Sequence, residues 1–492
     1  MPPHHQYVLV TGANRSGILS ADTTLLARSG LGLGVCCRLI DEYLTRSCAS
    51  STSSTTSRTS TNDTAGSALT IIFTTRSARK GSETLSKLES HLAKHGSNNN
   101  RNTTAVKSAS DRRVYFRPEN VELTSLLSVR ALSRKLLASD IPHLDAIVLN
   151  AGIGGWAGLN WPVAIWTILT GIRQATTWPT YKLGLIGLVT KPQLARATTS
   201  TEDEPVLGEV FCANVFGHYL LVHWLMPLLR ACGPDSPGKV IWSSSIECGR
   251  RHYNPQDHQG LMSETAYEHT KRLTDLLALT ANGQPATANT VKDFITLSPS
   301  LAASSPVPQP LRPEQSEPVF LLSHPGICTT TIISLNWIIQ YFYQLGIFLA
   351  RLCGSPWANV SSYLGAAAAT WLALSLPADI EAKAHEATGH VDGGPCKWGS
   401  ACDRLGRSSV RVTDVEGWGL DGTGRPFRDT WWAGHVGRKT GATDATPEDV
   451  EDFIAQAAHA WKEMELLRRD WETRIESFEA TQNTKQQGNG HA

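Results

Sequence analysis

The sequence lacks any excess of charge: 45 Lys and Arg stand against 44 Asp and Glu, a formal balance of +1. A nucleic-acid binder needs a basic surplus gathered on one face, so that class is excluded. Ten cysteines are present, yet none forms a Cys-x-x-Cys pair, and no metal site is expected. No secretory leader is expected, because Met1–Gln6 is polar and Tyr7–Val10 is too short for its apolar segment. No internal repeat is visible. Reduced thiols facing the cytosol are the expectation.

What is present is ample apolar material, 41% of 492 residues, enough for a large core. Apolar or β-branched runs occur at Tyr7–Thr11, Leu69–Thr75, Val114–Arg117, Ala146–Asn150, Lys239–Ser245 and Val319–Ser323. Most are followed by segments with helical periodicity. Continuous apolar strands alternating with amphipathic helices predict an α/β fold, a doubly wound parallel sheet of Rossmann type. A single domain over 7–440 is expected. Low-complexity inserts at 45–64, 97–113 and 282–318 are too polar to offset the entropy of ordering them. Two apolar segments, Leu159–Ile172 and Ile332–Leu352, exceed a minimal sheet domain. In the second, Asn336, Gln340 and Gln344 form a polar stripe that suits an interfacial helix or a pocket wall better than a membrane span. Residues 447–478 read as one amphipathic helix that offers a docking or partner surface, followed by a disordered tail at 479–492.

The chemistry centres on Tyr267-Glu-His-Thr-Lys271, where a spacing of four sets the phenol and the amine on one helical face. A nearby ammonium favours phenolate and should bring the phenol toward working pH. Ser243-Ser-Ser245 ends a strand at the sheet edge where α/β proteins present catalytic groups. Asn150-Ala-Gly152 follows another strand, with small residues that permit close backbone approach. Asn214-Val-Phe-Gly217 begins a helix against the central strands, and His324-Pro-Gly-Ile-Cys-Thr-Thr330 follows the last strand.

In this order, these motifs resemble the short-chain dehydrogenase/reductase superfamily. The longer runs Asn150–Trp156, Leu159–Pro162, Gly208–His218, Tyr267–Leu277 and His324–Ile333 look like the fungal 3-keto sterol reductases of ergosterol synthesis. The resemblance implies reduction of a C3 sterol ketone to the 3β-alcohol with NADPH, during C4-demethylation. Tyr267 would be the proton donor, Ser245 would hold the carbonyl oxygen, and Lys271 would lower the phenol pKa and bind the nicotinamide ribose. Asn214 would hold a water that relays protons to Lys271. For the cofactor, the resemblance points to Thr11, Gly12, Ser29, Gly30, Leu31 and Gly32 at the phosphate turn, and to Asn150, Ala151 and Gly152 beside it. Asn120 and Val121 would flank the adenine, while Pro325, Gly326 and Thr330 would seat the nicotinamide amide. It further implies other C4-demethylation enzymes as partners and peripheral attachment at the cytosolic face of the endoplasmic reticulum and at lipid droplets. Cofactor choice is argued from charge: after the second strand, Arg76, Arg79 and Lys80 would attract a 2′-phosphate where an NAD enzyme commonly carries an acid.

One departure stands out. Thr11-Gly-Ala-Asn14 is separated from Ser29-Gly-Leu-Gly-Leu-Gly34 by Arg15–Arg28, although such a turn works by feeding a strand directly into a helix N-terminus. Removing the segment restores the uninterrupted pattern, as a retained intron would, so Gly12, Gly30 and Gly32 are the expected glycines. The competing readings are a reductase of another lipid ketone and a scaffold that no longer binds cofactor.

Overall fold

A computed structural model describes residues 5–13, 30–52, 67–98, 113–194, 204–296, 316–329, 337–426 and 437–489. Its main sheet contains β1 (His5–Val10), β2 (Ala68–Thr75), β3 (Arg113–Asn120), β4 (Ala146–Leu149), β7 (Lys239–Ser243), β8 (Val319–His324), β11 (Lys397–Cys402) and β12 (Ser408–Thr413). The order across the sheet is β12-β11-β8-β7-β4-β1-β2-β3. All neighbours run parallel except β12, which pairs antiparallel with β11. Every residue of β2, β4 and β7 is buried, which explains why, Lys239 apart, they consist of apolar or small residues. All six sequence-predicted strands are present. The order reverses between β1 and β4, so the chain leaves these two strand ends in opposite directions and opens a crevice there.

Helices cover both faces. On one side, α1 (Leu31–Thr52) packs with a later helix, Ala367–Leu374. On the other lie α3 (Leu126–Leu137), the helical run Glu209–Trp224 and the helix Ala266–Thr280. Between α1 and α3 in the chain is α2 (Ala78–Asn98), which opens directly after β2.

Departing from the plain sheet, β5 (Trp156–Leu159) and β6 (Lys182–Gly184) form an antiparallel pair that encloses α4 (Trp161–Thr170) and α5 (Ile172–Thr177). The short parallel pair β9 (Ile327–Cys328) and β10 (Ala358–Val360) brackets the helix Trp337–Leu352. These elements give form to both supernumerary apolar segments.

Several expectations need correction. The insert predicted at 45–64 is helical as far as Thr52, and its remainder from 53, like 99–112 and 297–315 of the other inserts, lies outside the described residues. The stretch 282–318 contains a helix, Ala288–Ile295, because Val291, Phe294 and Ile295 share one face and are buried. The terminal helix runs from Pro447 through Asn489, beyond the predicted limit of 478. Its apolar face is not a free docking surface: Trp461, Met464 and Trp471 are buried in the same core as Leu273 and Phe294, although Leu466 points outward. Strands β11 and β12 are additions that the sequence did not announce, since Lys397-Trp-Gly-Ser-Ala-Cys402 has no apolar run.

Candidate active site

At the crevice, Thr11 directly follows β1 and acts as a hub. Its Oγ1 accepts from the backbone N–H groups of Asn150 (2.9 Å) and Ala151 (3.0 Å) and lies 2.9 Å from His218 Nε2. His218 Nδ1 faces the Asn214 carbonyl at 3.2 Å, so Nδ1 carries the proton and Nε2 accepts from the Thr11 hydroxyl. Complete burial pushes this imidazole down to about 3, which keeps it neutral. The Asn150 side chain returns the link by donating to the Thr11 carbonyl at 3.0 Å.

The glycines of the turn meet despite the interruption between them. A Cβ on Gly32 would lie 2.4 Å from the Gly12 carbonyl oxygen, and one on Gly12 (φ +71°) would lie 2.8 Å from Ala151. These are cradles that only glycine fits. Helix α1 starts beside them with no acidic residue in its first turn, leaving its N-terminal N–H groups suited to a pyrophosphate. Gly12, Gly30, Leu31, Asn150, Ala151 and Gly152 line one cavity of about 540 Å³. Thus the residues present fit a dinucleotide. Ser29, Arg15–Arg28 and Thr330 lie outside the described residues.

The remaining cofactor candidates divide. Val121, Arg76, Pro325 and Gly326 line the cavity, whereas Asn120, Arg79 and Lys80 do not. Asn120 instead accepts from Thr75 Oγ1 at 3.3 Å. Arg76 is exposed, with Nε 3.8 Å from the Glu122 carboxylate, a cavity neighbour that sequence reading did not single out. At the far strand, Gly326 N–H donates to His324 Nδ1 (3.1 Å), and the other ring nitrogen pairs with Thr413 Oγ1 (2.7 Å). This fixes the loop that carries Pro325.

Ser245, Tyr267 and Lys271 converge on the same cavity, with Ser243 and Ser244. Tyr267 and Lys271 come from the first turns of the helix Ala266–Thr280. Lys271 is buried; it donates to the Ser243 carbonyl at 2.6 Å, and its Nζ lies 5.5 Å from the centre of the Tyr267 ring. Burial pushes its ammonium down to about 8. The expectation of an acidified phenol is corrected by its surroundings. Enclosure holds Tyr267 above the ordinary phenol value, and the cation that opposes the rise is Lys182 of β6, while Glu247 and Glu268 add to it.

Asn214 is held by its own set of hydrogen bonds. It sits in a π-helical turn, Cys212–Phe216, a distortion frequent at functional sites. Its Oδ1 accepts from Ile153 N–H (2.8 Å), and its Nδ2 donates to Ile153 O and to Thr270 Oγ1, both at 3.0 Å. Thr270 in turn donates to the Tyr267 carbonyl at 2.7 Å. With both amide hydrogens committed, the side chain ties the Asn150–Ile153 turn to the Tyr267 helix.

Ser245 is held from behind. Its carbonyl accepts from Lys397 Nζ at 2.7 Å, and the same ammonium pairs with Asp275 at 2.7 Å. Asp275 also accepts from Ser244 Oγ. Sequence reading missed this buried pair because its members come from the catalytic helix and from the unannounced strand β11.

Apolar surface completes the cavity. Trp161, Ala164 and Ile168 of α4, together with Phe342, Leu345 and Leu349 of α11 (Trp337–Leu352), line it. Both helices also expose apolar side chains outward, Trp166 at 69% and Tyr341 at 67%. In α11 the half-buried face carries Gln340 and Gln344, while the exposed positions are apolar. Among the described residues, no helix is long and apolar enough to cross a membrane, and no cluster of His, Cys, Asp and Glu could hold a metal ion.

No family model matches the chain. It is 41% identical over 481 residues to the 3-keto-steroid reductase erg27 of Aspergillus fumigatus, covering 96% of each chain. Identity to the 3-keto-steroid reductase ERG27 of Gibberella zeae is 35% over 502 residues, covering 95% of this chain and 94% of that one. A short-chain dehydrogenase/reductase structure from Burkholderia xenovorans overlaps 75% of this chain and 88% of its own at 14% identity, with a TM-score of 0.35, too loose to add to the assignment. On the two fungal relatives, matched nearly end to end, the chain belongs to the 3-keto-steroid reductases.

Proposed function

We propose that this chain reduces the C3 ketone of sterol intermediates to the 3β-alcohol with NADPH, in the C4-demethylation stage of ergosterol biosynthesis. The observation that carries the reading is one cavity that takes in the glycine turn, the Ser245–Tyr267–Lys271 group and the apolar walls of α4 and α11. A dinucleotide and a flat lipid can therefore meet at the catalytic group. NADPH bound at the turn supplies the hydride. Ser245 Oγ holds the ketone oxygen, and the Tyr267 hydroxyl delivers the proton to that oxygen as negative charge develops there. Lys271 binds the nicotinamide ribose. Arg76, at the cavity beside the end of β2, favours a 2′-phosphate.

The close approach of Gly12 and Gly32 supports an enzyme over a scaffold that has lost its cofactor turn. The test is NADPH oxidation with zymosterone. Wild-type protein should turn over, and Tyr267→Phe should lose at least a hundredfold in kcat, the size of a general-acid contribution. Turnover by Tyr267→Phe at the wild-type rate would remove the proton donor from the reading. Other ketones in the same assay separate a sterol reductase from one acting on another lipid.

The outward apolar residues of α4 and α11, at helices that also wall the cavity, support peripheral attachment to the cytosolic face of the endoplasmic reticulum and to lipid droplets, beside other C4-demethylation enzymes. Carbonate extraction should release the protein; resistance would mean integral insertion.

A further inference from the structure

A buried ion cluster adjoins Tyr267 and has no part in the chemistry above. Lys182 of β6 contacts Glu247, from the loop after β7, and Glu268 at 2.7 Å, from the residue after Tyr267. All three side chains are almost enclosed. The ammonium also lies 4.5 Å from the Trp156 ring centre and 5.5 Å from that of Tyr267. Trp156 and Tyr267 pack at 4.9 Å. Lys182 and Glu247 both line the cavity. The cluster therefore joins the β5–β6 excursion, the Ser245 loop and the first turn of the catalytic helix at one point.

Lys182 and Lys271 are equally distant from the phenol ring, but they differ as charges. Lys271 faces a neutral carbonyl, and burial brings it down to about 8, so it is partly neutral at mildly alkaline pH. Lys182 is pushed upward by its two carboxylates, against the effect of burial, and stays charged. Burial raises Glu247 as well, despite the opposing pull of Lys182. The other groups facing this point are Cys248 from the Ser245 loop and the phenols of Tyr181 and Tyr343. Asp275 and Lys397 lie behind Cys248.

We infer that Lys182 is a positioning residue whose fixed ammonium sets the proton-donating strength of Tyr267, with Glu247 as the opposing charge that moderates it. The inference rests on Tyr267 being the proton donor. It makes the β5–β6 excursion part of the catalytic apparatus as well as a wall for the substrate. Removing Lys182 withdraws the permanent positive charge, so the phenol becomes a weaker acid. Neutralising Glu247 has the reverse effect.

The test is the pH profile of kcat for ketone reduction by the full-length protein, which needs the phenol protonated and so falls on the alkaline side. In Lys182→Met the alkaline limb should move up by about one pH unit, with kcat reduced, and in Glu247→Gln it should move down by a similar amount. Lys182→Arg should restore the wild-type limb. Should Lys182→Met fail to fold, judged by circular dichroism, Glu247→Gln alone carries the sign. Equal or absent shifts, with kcat lowered uniformly across pH, would reduce the cluster to a structural tie and overturn the inference. Failure of the underlying reading is seen separately, as Tyr267→Phe retaining wild-type turnover.

Discussion

Substituting Gly32 by Ala probes whether the two halves of the interrupted turn work as one. The added Cβ would stand 2.4 Å from the Gly12 carbonyl oxygen and 2.8 Å from both Asn150 Nδ2 and the Gly12 carbonyl carbon. Two of these atoms are backbone and the third is hydrogen-bonded to Thr11, so none can swing aside. Helix α1 must then back away from the end of β1, at a cost of about 1–3 kcal/mol for overpacking. Part of this is hidden in a melting experiment, because Ala within a helix gains about 1 kcal/mol over Gly. The loss should therefore appear where the turn is used. If the cost falls on the bound state, NADPH dissociation constants should rise about 5- to 150-fold. Fluorescence titration measures this directly, with Gly158→Ala as the control, since no atom of the described residues lies within 4 Å of a Cβ there. If Gly32→Ala binds NADPH as tightly as that control, the two segments do not form a shared cradle, and the cofactor reading of the turn fails.

Arg76→Ala should weaken NADPH by about tenfold, the value of one charge-assisted contact, and leave NADH unchanged; parallel losses for both nucleotides would assign Arg76 no role at the 2′-phosphate. Phe294→Ala removes a fully buried ring 4.1 Å from Tyr219 and 5.4 Å from Trp461, so about 3–5 kcal/mol of stability should disappear in urea denaturation. A loss below 1 kcal/mol would mean that the terminal helix is not packed there. His218 is neutral in the fold, pushed from 6.5 down to about 3, while the unfolded chain takes up a proton below about 6.5. Stability should consequently fall as pH drops through this window, by up to about 1.4 kcal/mol per pH unit. His218→Gln should flatten that part of the profile, and an unchanged slope would count against the Thr11–His218–Asn214 chain.

The sheet was legible because β2 and β4 are buried on both faces and their sequences are correspondingly apolar. Strand β11 was not, because its burial is shared with Lys397 and Ser400, whose polar atoms find partners only in the folded molecule. Similarly, the Tyr267–Lys271 spacing announced a common helical face but not the direction of the ammonium, which the Ser243 carbonyl decides. Asn214 was recognisable as a site residue, yet its partners Ile153 and Thr270 are 61 and 56 residues away. Lys182 gave no signal at all. Its meaning depends on Glu247 and Glu268 arriving from two other elements, and neither spacing nor periodicity encodes that meeting. Within 282–318, composition concealed the short apolar face of Val291, Phe294 and Ile295.

The Lys397–Asp275 pair behind Ser245 has a bearing on how natural variation in this chain is read. A lysine in β11 and an aspartate one turn beyond Lys271 on the catalytic helix, neither of them lining the cavity, would pass as bystanders in a motif-based screen. Yet loss of either leaves an uncompensated ion in the interior, directly under the hydroxyl-bearing loop. Genetic lesions at positions 275 and 397 should therefore cluster phenotypically with those at the motif itself, and a loss-of-function survey confined to the cavity wall would miss them.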